Sequence, residues 1–364
     1  MKKILVYGMT DNRGGIEAYI MNYFRLLVKK QIIFDFVTEH ERIAYADEIE
    51  SLGGKIYNIP SRRAGLFKHM SSIRDILKNH KEYDTVYFNV LSASEVFTVL
   101  GAASIKGVKK IVHSHNNAVK TMGRHRVLRP LLNLLTDVKL ACSGEAAEFM
   151  FGDKSLRRNE VEVIFNAIDV EKYQYNSAVR EAVRRELNLS FESFVVGHVG
   201  RMCYQKNSLF VIELFYHVYQ RNKNAILVLV GDGEDREQVK QAIKQYGIEK
   251  NVLMLGMRSD VEKLMQAMDV FLLPSRFEGL PVVLIEAQAA GLHCICSNQF
   301  TNKSNITGNV EFISLNESIE YWVTAILNSC GKERKDEKDA VTKAGFNINY
   351  EVGKLEKILK ENNV

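Results

Sequence analysis

The 364-residue sequence has few prolines, few cysteines and no long apolar run, and each shortage excludes a class of protein. Four prolines and the lack of a Gly/Ser tract argue against a long disordered linker. Five scattered cysteines, with no second Cys or His pair at ligand spacing, indicate reduced thiols in a cytosolic protein rather than a metal site. No stretch has the apolar length that spans a bilayer, and the short apolar run after the first two lysines predicts a buried strand rather than a signal peptide.

The positive charge is concentrated in the first half of the chain. The net charge is +5, and residues 1–170 hold 25 Lys and Arg against 19 Asp and Glu, whereas the remainder holds 24 against 25. Such an excess attracts nucleic acid, an anionic membrane or phosphorylated substrates. Nucleic acid is disfavoured because the basic residues form no recognisable reading motif.

Short apolar runs alternate with amphipathic helical segments, and this pattern restarts near residue 192. Strands are predicted at 3–8, 33–38, 85–90, 110–113 and 138–142, then at 194–200, 225–230, 252–255, 269–274 and 293–297. Because strands separated by helices form parallel sheets, we predict two Rossmann-like, doubly wound α/β domains at 1–170 and 193–340, joined by a linker region at 171–192. A charged helical tail, 341–364, is expected to pack back on the first domain. Ligands bind outside the carboxyl ends of such strands, so domains facing each other across a cleft would place the active site there.

Two glutamates flank the turn after the predicted strand at 269–274. Pro281 suits the first turn of a helix, so the turn ends at a helix amino terminus, whose free N–H groups favour phosphate oxygens. Gly279 would let a ligand approach the backbone closely. Glu278 and Glu286 can accept hydrogen bonds from vicinal hydroxyls of a sugar and a ribose. The alternative, in which Glu278 caps the helix and Glu286 is a solvated surface residue, is equally open.

Two cations stand at the start of the second domain. Arg201 follows the strand at 194–200, and Lys206 comes just before a helix that begins near Asn207. Cations in this place suit a diphosphate whose leaving-group charge grows during a reaction. A solvated basic loop explains this segment alone nearly as well.

The first domain contributes Gly14-Gly15 and a pair of histidines. The glycines link the first strand to the first helix, but they lack the spacing of the dinucleotide fingerprint and the lysine of a P-loop, so neither nicotinamide nor NTP binding is expected. His113 and His115 lie at the end of the strand at 110–113. We expect them to point to opposite faces and choose His115, which is nearer the loop, to meet the cleft.

In their order and spacing these segments resemble the family-4 retaining glycosyltransferases with the GT-B fold, over essentially the whole chain. The residues that carry the resemblance are Gly14-Gly15-Ile16-Glu17, His113-Ser114-His115-Asn116, Ser143, Phe165-Asn166-Ala167-Ile168-Asp169, Gly200-Arg201 with Lys206, Gly231-Asp232-Gly233-Glu234, and the segment from Ser275 through Glu278 and Glu286 to Gly291. The sequence is most similar to bacterial capsular and exopolysaccharide transferases. It departs from the family at Leu292, where proline is usual, and at Ala167, where glycine is usual.

The resemblance implies a role for each candidate residue. Arg201 and Lys206 would hold the donor diphosphate, Glu278 would contact hydroxyls of the transferred sugar, and Glu286 would contact the ribose. The remaining donor-binding positions would be Gly14 and Gly15 with the backbone of Gly279 and Leu280 around the phosphates and sugar, His115 beside the reacting carbon, and Arg258 near the base. The donor is expected to be a UDP-sugar and the acceptor a glycan or a lipid-linked oligosaccharide.

The predicted mechanism uses neither a metal nor another cofactor, because no Asp-x-Asp-type site stands near a strand end. Arg201, Lys206 and helix amides would stabilise the leaving diphosphate. The catalytic set is therefore predicted to be His115, Arg201, Lys206 and Glu278. No residue obviously serves as a covalent nucleophile, which favours same-face attack by the acceptor hydroxyl, with the departing phosphate oxygen taking its proton.

The sequence is also compatible with three alternative functions: a nucleotide-sugar epimerase of similar fold, a protein-glycosylating transferase, and a non-catalytic nucleotide-sugar-binding protein. An epimerase would need additional acids or bases in the cleft, and none can be located. A degenerate binding protein should have lost one of the residues named above, and all of them are present.

Basic residues surround one predicted helix of the first domain. An apolar stripe (Leu66, Phe67, Met70, Ile73, Ile76 and Leu77) lies among Arg62, Arg63 and Lys68. A second basic stretch, Lys120–Arg129, includes Arg124, Arg126 and Arg129. Either the stripe faces the core and the cations are solvated, or this domain rests on an anionic inner membrane leaflet, where each cation contributes ~1 kcal/mol. The second possibility predicts a cytoplasmic enzyme that is peripheral on the inner face of the membrane.

Overall fold

A computed structural model describes residues 1–12, 14–117, 119 and 121–361 and divides the chain into two units. The first unit is Met1–Ala167 together with the segment that starts at Ile348, and the second is Ile168–Asn347. The chain thus leaves the first unit once and returns to it for its last helix. The boundaries between the two units, at 167/168 and 347/348, differ from the predicted linker at 171–192 and from the predicted start of the tail at 341.

The first unit contains, among the described residues, seven parallel strands in the order β3-β2-β1-β4-β5-β6-β7. The strands are β1 (Lys2–Tyr7), β2 (Ile32–Thr38), β3 (Ile56–Asn58), β4 (Tyr83–Val90), β5 (Lys109–Ser114), β6 (Val138–Ala141) and β7 (Val161–Val163). The helices are α1 (Gly15–Val28), α2 (Ala46–Ser51), α3 (Leu66–Asn79), α4 (Val96–Ala103), α5 (Met122–Leu135), α6 (Gly144–Phe151) and α7 (Asp153–Arg157).

The second unit contains six parallel strands in the order β10-β9-β8-β11-β12-β13 within the described part of the chain. The strands are β8 (Phe194–Val199), β9 (Ala225–Val230), β10 (Val252–Met254), β11 (Val270–Leu273), β12 (His293–Ser297) and β13 (Val310–Ile313). The helices are α8 (Val170–Tyr173), α9 (Ser177–Glu186), α10 (Ser208–Arg221), α11 (Arg236–Gln245), α12 (Val261–Ala267), α13 (Val282–Ala289), α14 (Ile319–Leu327) and α15 (Lys338–Lys343), and α16 (Ile348–Lys360) follows in the first unit. Both sheets have the doubly wound architecture that the sequence predicts.

Burial on both faces explains why these strands read as continuous apolar runs. Ile4, Leu5 and Val6 of β1 are all fully buried, because helices cover each face of a parallel sheet. The last helix contributes Leu355 to the same core as β1. Lys109 donates from its Nζ to the carbonyl oxygens of Ile358 and Glu361 (2.6 and 2.8 Å), so a cation satisfies the carboxyl end of α16.

Helix α9 belongs to the second unit because its arginines bind there. Arg180 and Arg184 both form ion pairs with Asp269, and Arg184 also donates to the carbonyl oxygen of Ala267 at 3.0 Å. Val183 is buried in the core of that unit. The segment at 171–192 is therefore packed structure rather than a free connector. None of the described helices is long and apolar enough to cross a membrane.

Candidate functional site

Two turns of the second unit meet at the carboxyl ends of the neighbouring strands β8 and β11. Lys206, in the turn after β8, places its Nζ 2.6 Å from Oε1 of Glu278, in the turn after β11. Glu278 also accepts from Ser275 Oγ at 2.8 Å and from Gln205 Nε2 at 3.2 Å. Three donors therefore fix this largely buried carboxylate, and charge-assisted hydrogen bonds of this kind are strong.

The backbone holds the two turns together. The amide of Arg276 donates to the carbonyl oxygen of Gln205 at 2.8 Å, and Asn207 Nδ2 donates to the carbonyl oxygen of Pro274 at 3.2 Å. Asn207 adopts a left-handed conformation (φ 57°), which ends the turn just before α10 and suits asparagine. Lys206 and Glu278 are thus positioned by a rigid junction rather than by flexible loops.

Helix α13 begins directly after the second turn. Its N-cap position is Pro281, and no side chain caps it, so Glu278 is not the capping residue. The first amides of such a helix lack intrahelical partners. A Cβ on Gly279 would meet nothing within 4 Å, so protein packing does not explain that glycine. Gly279 is exposed and Leu280 half-buried at the amino end of α13, where an anion is favoured.

Glu286 lies on α13 and accepts a hydrogen bond from the Tyr173 hydroxyl at 2.8 Å. Burial raises the pKa of Glu286 to about 7, although the Tyr173 hydroxyl and the Lys206 cation both oppose the shift. The alternative of a solvated surface residue is therefore wrong. Sequence reasoning did not find Tyr173, which comes from α8, more than a hundred residues earlier in the chain.

Arg201 is exposed and pairs with a residue other than those of the Lys206 cluster. Its Nε lies 2.9 Å from Oε2 of Glu234, in the Gly-rich turn after β9. That turn packs tightly, since a Cβ on Gly231 (φ +127°) would lie 2.0 Å from the carbonyl oxygen of Gly200. Glycine is required there by contact between two turns.

Arg258 is held by acidic side chains. Its Nε and Nη2 both lie 2.7 Å from the carboxylate oxygens of Asp260, and Nη2 lies 3.3 Å from Glu186. These hydrogen bonds raise the pKa of Arg258 above its usual value. Donor binding by Arg258 therefore remains a prediction, and it requires the guanidinium to share or exchange these carboxylate partners. The neighbouring Met257 is exposed.

The first unit has its own cavity, of about 380 Å³, at the point where the strand order reverses between β1 and β4. Gly15, the first residue of α1, lines this cavity, and Gly14 donates its amide to Glu17 Oε2 at 3.1 Å. Glu17 also accepts from Thr10 Oγ1 at 2.6 Å. Ligands of doubly wound sheets bind at such reversal points.

His113 and His115 point the same way, so the expectation of opposite faces is wrong. Their ring centroids are 4.2 Å apart, because residues two apart in an extended chain share a face. His115 Nε2 hydrogen-bonds Asn89 Oδ1 at 2.9 Å, and Asn89 lines the cavity. Burial lowers the pKa of His115 to about 3, so its ring is neutral near pH 7.

An ion-pair cluster at the same cavity was not identified from the sequence. Arg62 Nη1 lies 2.7 Å from Glu95, and Arg62 Nε lies 3.3 Å from Glu39, whose Oε1 also accepts from the Tyr7 hydroxyl at 2.9 Å. Burial raises the pKa of Glu95, and the Arg62 charge opposes that shift. Two carboxyl groups therefore share one guanidinium. Arg62 is therefore not a solvated cation.

Comparison with known proteins gives consistent results for both units. The sequence profile described as Glycosyltransferase Family 4 matches residues 13–172, and that of Glycosyl transferases group 1 matches residues 179–342. The chain is 32% identical to the putative glycosyltransferase EpsF of Bacillus subtilis, over 97% of this chain and 95% of that one. It is 28% identical to the UDP-Gal:alpha-D-GlcNAc-diphosphoundecaprenol alpha-1,3-galactosyltransferase of Escherichia coli, over 86% and 84%. The crystal structure of Anabaena Alr3699/HepE in complex with UDP superposes with a TM-score of 0.76, at 19% identity and 99% coverage of both chains.

Proposed function

The chain belongs to the family-4 glycosyltransferases, and from that premise we propose that it is a retaining, metal-independent enzyme that transfers a sugar from a UDP-sugar to a lipid-linked glycan in capsular or exopolysaccharide assembly. The observation that carries the proposal is the Lys206–Glu278 pair beside the free amides of α13. It places a cation, a carboxylate and an anion-binding helix end at one edge of the sheet.

The cations and amides act on the leaving group. Negative charge builds on the β-phosphate as the bond to the sugar breaks, and pre-positioned donors stabilise it without reorganisation. Lys206 is fixed for this purpose by its contact with Glu278. Among the described residues Arg201 pairs only with Glu234. Because an exposed pair of this kind contributes little stability, Arg201 can turn to a phosphate oxygen at small cost.

The two glutamates bind different parts of the donor. The Glu278 carboxylate keeps lone pairs beyond those used by its three donors, and these accept hydrogen bonds from hydroxyls of the transferred sugar. Glu286 binds the ribose hydroxyls. A bound ribose stabilises its charged form, which burial otherwise disfavours.

Retention follows from attack on the face that the diphosphate leaves. The acceptor hydroxyl forms the new bond to the anomeric carbon while the bond from that carbon to the β-phosphate oxygen breaks, and that oxygen receives the hydroxyl proton. His115 is neutral near pH 7, so it serves as a hydrogen-bonding group beside the sugar rather than as a cationic acid.

The choice of UDP and of a lipid-linked acceptor rests on the relatives. The Escherichia coli relative is named for a UDP-galactose donor and a diphosphoundecaprenol-linked acceptor, and the Anabaena structure contains UDP. The proposal carries both classes to this chain without specifying the sugar.

We also propose that the first unit rests on an anionic membrane surface. On α5 the side chains of Val127, Leu131 and Leu134 are exposed at helical spacing, and Phe67 on α3 is 85% exposed, so it is not part of the buried stripe predicted for that helix. Arg63 and Lys68 are exposed near Phe67 in the sequence, which adds positive charge. Lys120, part of the predicted basic stretch, lies outside the described residues.

Binding to the membrane is tested with vesicles. Binding to vesicles that contain anionic lipid should weaken as salt is added, because screening reduces attraction between exposed charges. Glu substitutions at Arg63 and Lys68 should reduce it further, with Lys244→Glu in the second unit as control. Equal binding to neutral vesicles would contradict the proposal. Arg62 is left unchanged because its ion pairs are structural.

The transfer reaction is tested with a panel of UDP-, GDP- and dTDP-sugars and lipid-diphosphate-linked acceptors. Release of UDP that depends on acceptor, a product with the donor's anomeric configuration, and turnover that persists in EDTA are expected. Isomerisation of the donor without an acceptor would indicate an epimerase. Strict dependence on Mg²⁺ or Mn²⁺, or an inverted product, would refute the corresponding part of the mechanism.

A further inference from the structure

A second cavity of about 720 Å³ adjoins the acidic cavity of the first unit. The two cavities share Glu39, His40 and Arg62 in their walls. The second is also lined by Arg63, from the segment before α3, and by Arg124, from the first turn of α5. A molecule bound in the first cavity can therefore extend into the second without leaving the surface of this unit.

The two cavities differ in the charge that is available to a ligand. Arg62 pairs with Glu39 and Glu95, and Glu17 adds a third carboxyl group, so hydrogen-bond acceptors outnumber the one arginine in the first cavity. Arg63 and Arg124 are exposed, and neither forms an ion pair or hydrogen bond with any described residue. The second cavity thus offers two unpaired guanidinium groups, and guanidinium groups bind phosphate oxygens in a bidentate manner.

We propose that Arg63 and Arg124 bind the diphosphate of a lipid-diphosphate-linked acceptor, whose sugar lies in the acidic cavity. This assignment rests on the proposed function and deepens it, because it fixes the direction of the acceptor. The carboxyl groups of the first cavity accept hydrogen bonds from sugar hydroxyls, whereas the arginines of the second cavity bind the phosphates. The lipid chain extends from the second cavity along α3 and α5. On these helices the exposed Phe67 and Val127 lie within one turn of the cavity-lining residues Leu66 and Arg124.

The probe is farnesyl diphosphate, a short lipid diphosphate, with binding measured by calorimetry in saturating UDP to occupy the donor site. The Arg63→Gln/Arg124→Gln double variant should bind it at least tenfold more weakly than the unchanged protein. Arg126→Gln is the matched control, because Arg126 is exposed on the same helix but does not line the cavity. Inorganic pyrophosphate should bind through the same arginines, more weakly, and farnesol should not bind through them.

The inference would be overturned by equal affinity in the double variant, by equal loss in Arg126→Gln, or by farnesol binding as tightly as farnesyl diphosphate. Binding that saturating UDP abolishes would place the probe in the donor site, which also overturns it. A protein that fails to bind UDP yet binds farnesyl diphosphate through Arg63 and Arg124 would refute the proposed donor while supporting this site. Unchanged melting temperatures keep a folding defect from being mistaken for lost binding.

Discussion

Both units bring carboxylates and a cation together at the carboxyl ends of a parallel sheet, but the balance of charge differs. In the second unit one lysine faces one buried carboxylate, and hydroxyl and amide donors complete the shell of Glu278. In the first unit Arg62 is divided between Glu39 and Glu95. In the second unit the charges of the pair balance, and the uncapped amides of α13 beside it can bind a diphosphate. In the first unit hydrogen-bond acceptors outnumber the cation, which suits a molecule rich in hydroxyls. The carboxyl ends of the two sheets therefore suit different parts of a substrate.

The largest expected effect comes from removing the cation of the second unit. Lys206→Ala should lower kcat by about 10²–10³, because developing charge on the diphosphate loses a pre-positioned donor. Steady-state transfer rates with saturating donor measure this effect. Lys244→Ala, which removes an exposed lysine of α11, should be unaffected. A Lys206→Ala enzyme with near-normal kcat would remove the distinction between the two units.

A smaller effect is expected from the carboxylates of the second unit. Glu278→Ala should lower turnover, and Glu286→Ala should chiefly raise KM for the donor, each by tenfold to a hundredfold for the ~1.5–3 kcal/mol of a hydrogen bond to a charged group. Initial rates across donor concentrations separate the two parameters. Wild-type rates in both variants at subsaturating donor would refute the site assignment.

In the first unit the cation should matter for stability. Arg62→Ala leaves two carboxylates without their common partner and should lower the free energy of unfolding by ~1–3 kcal/mol. Arg63→Ala, at the adjacent exposed position, should change it by less than ~0.5 kcal/mol. Urea titration of both variants measures the difference. Equal stabilities would mean that the Arg62 cluster is not structural.

The smallest expected effect is a pH dependence confined to Glu286. Its raised pKa means that the fold favours the neutral acid, so this contribution to stability is complete below the usual pKa of 4.5 and is lost as the pH rises through about 7. Ribose binding requires the carboxylate and changes in the opposite direction. The affinity for a UDP-sugar should therefore rise about tenfold from pH 6 to pH 8. Glu286→Gln should flatten that profile, and an unchanged slope in the variant would assign the titration to another group.

How much the sequence could predict differs between fold and site. The restart of the alternating pattern near 192 predicts both sheets, since apolar periodicity is local information. The short strands β3, β7 and β13 were missed because each contains a polar residue (Asn58, Glu162 and Glu311), whereas the equally short β10 is apolar throughout and was predicted. The pairing of Lys206 with Glu278 depends on β8 and β11 being neighbours, which is long-range information. For the same reason the sequence did not reveal that Tyr173 lies beside Glu286, or that two carboxylates bind Arg62. Around Arg62 the sequence shows only a series of basic residues.

The return of α16 to the first unit has a consequence for biosynthesis. Leu355 and Leu359 are fully buried in the core that contains β1, and Lys109 caps the same helix. A ribosome delivers residues in order, so the second unit has its whole chain once Asn347 has emerged, whereas the first unit still lacks one layer of its core. The half of the protein that is translated first is therefore completed last. Until then the apolar side chains that pack against α16 in this core are uncovered.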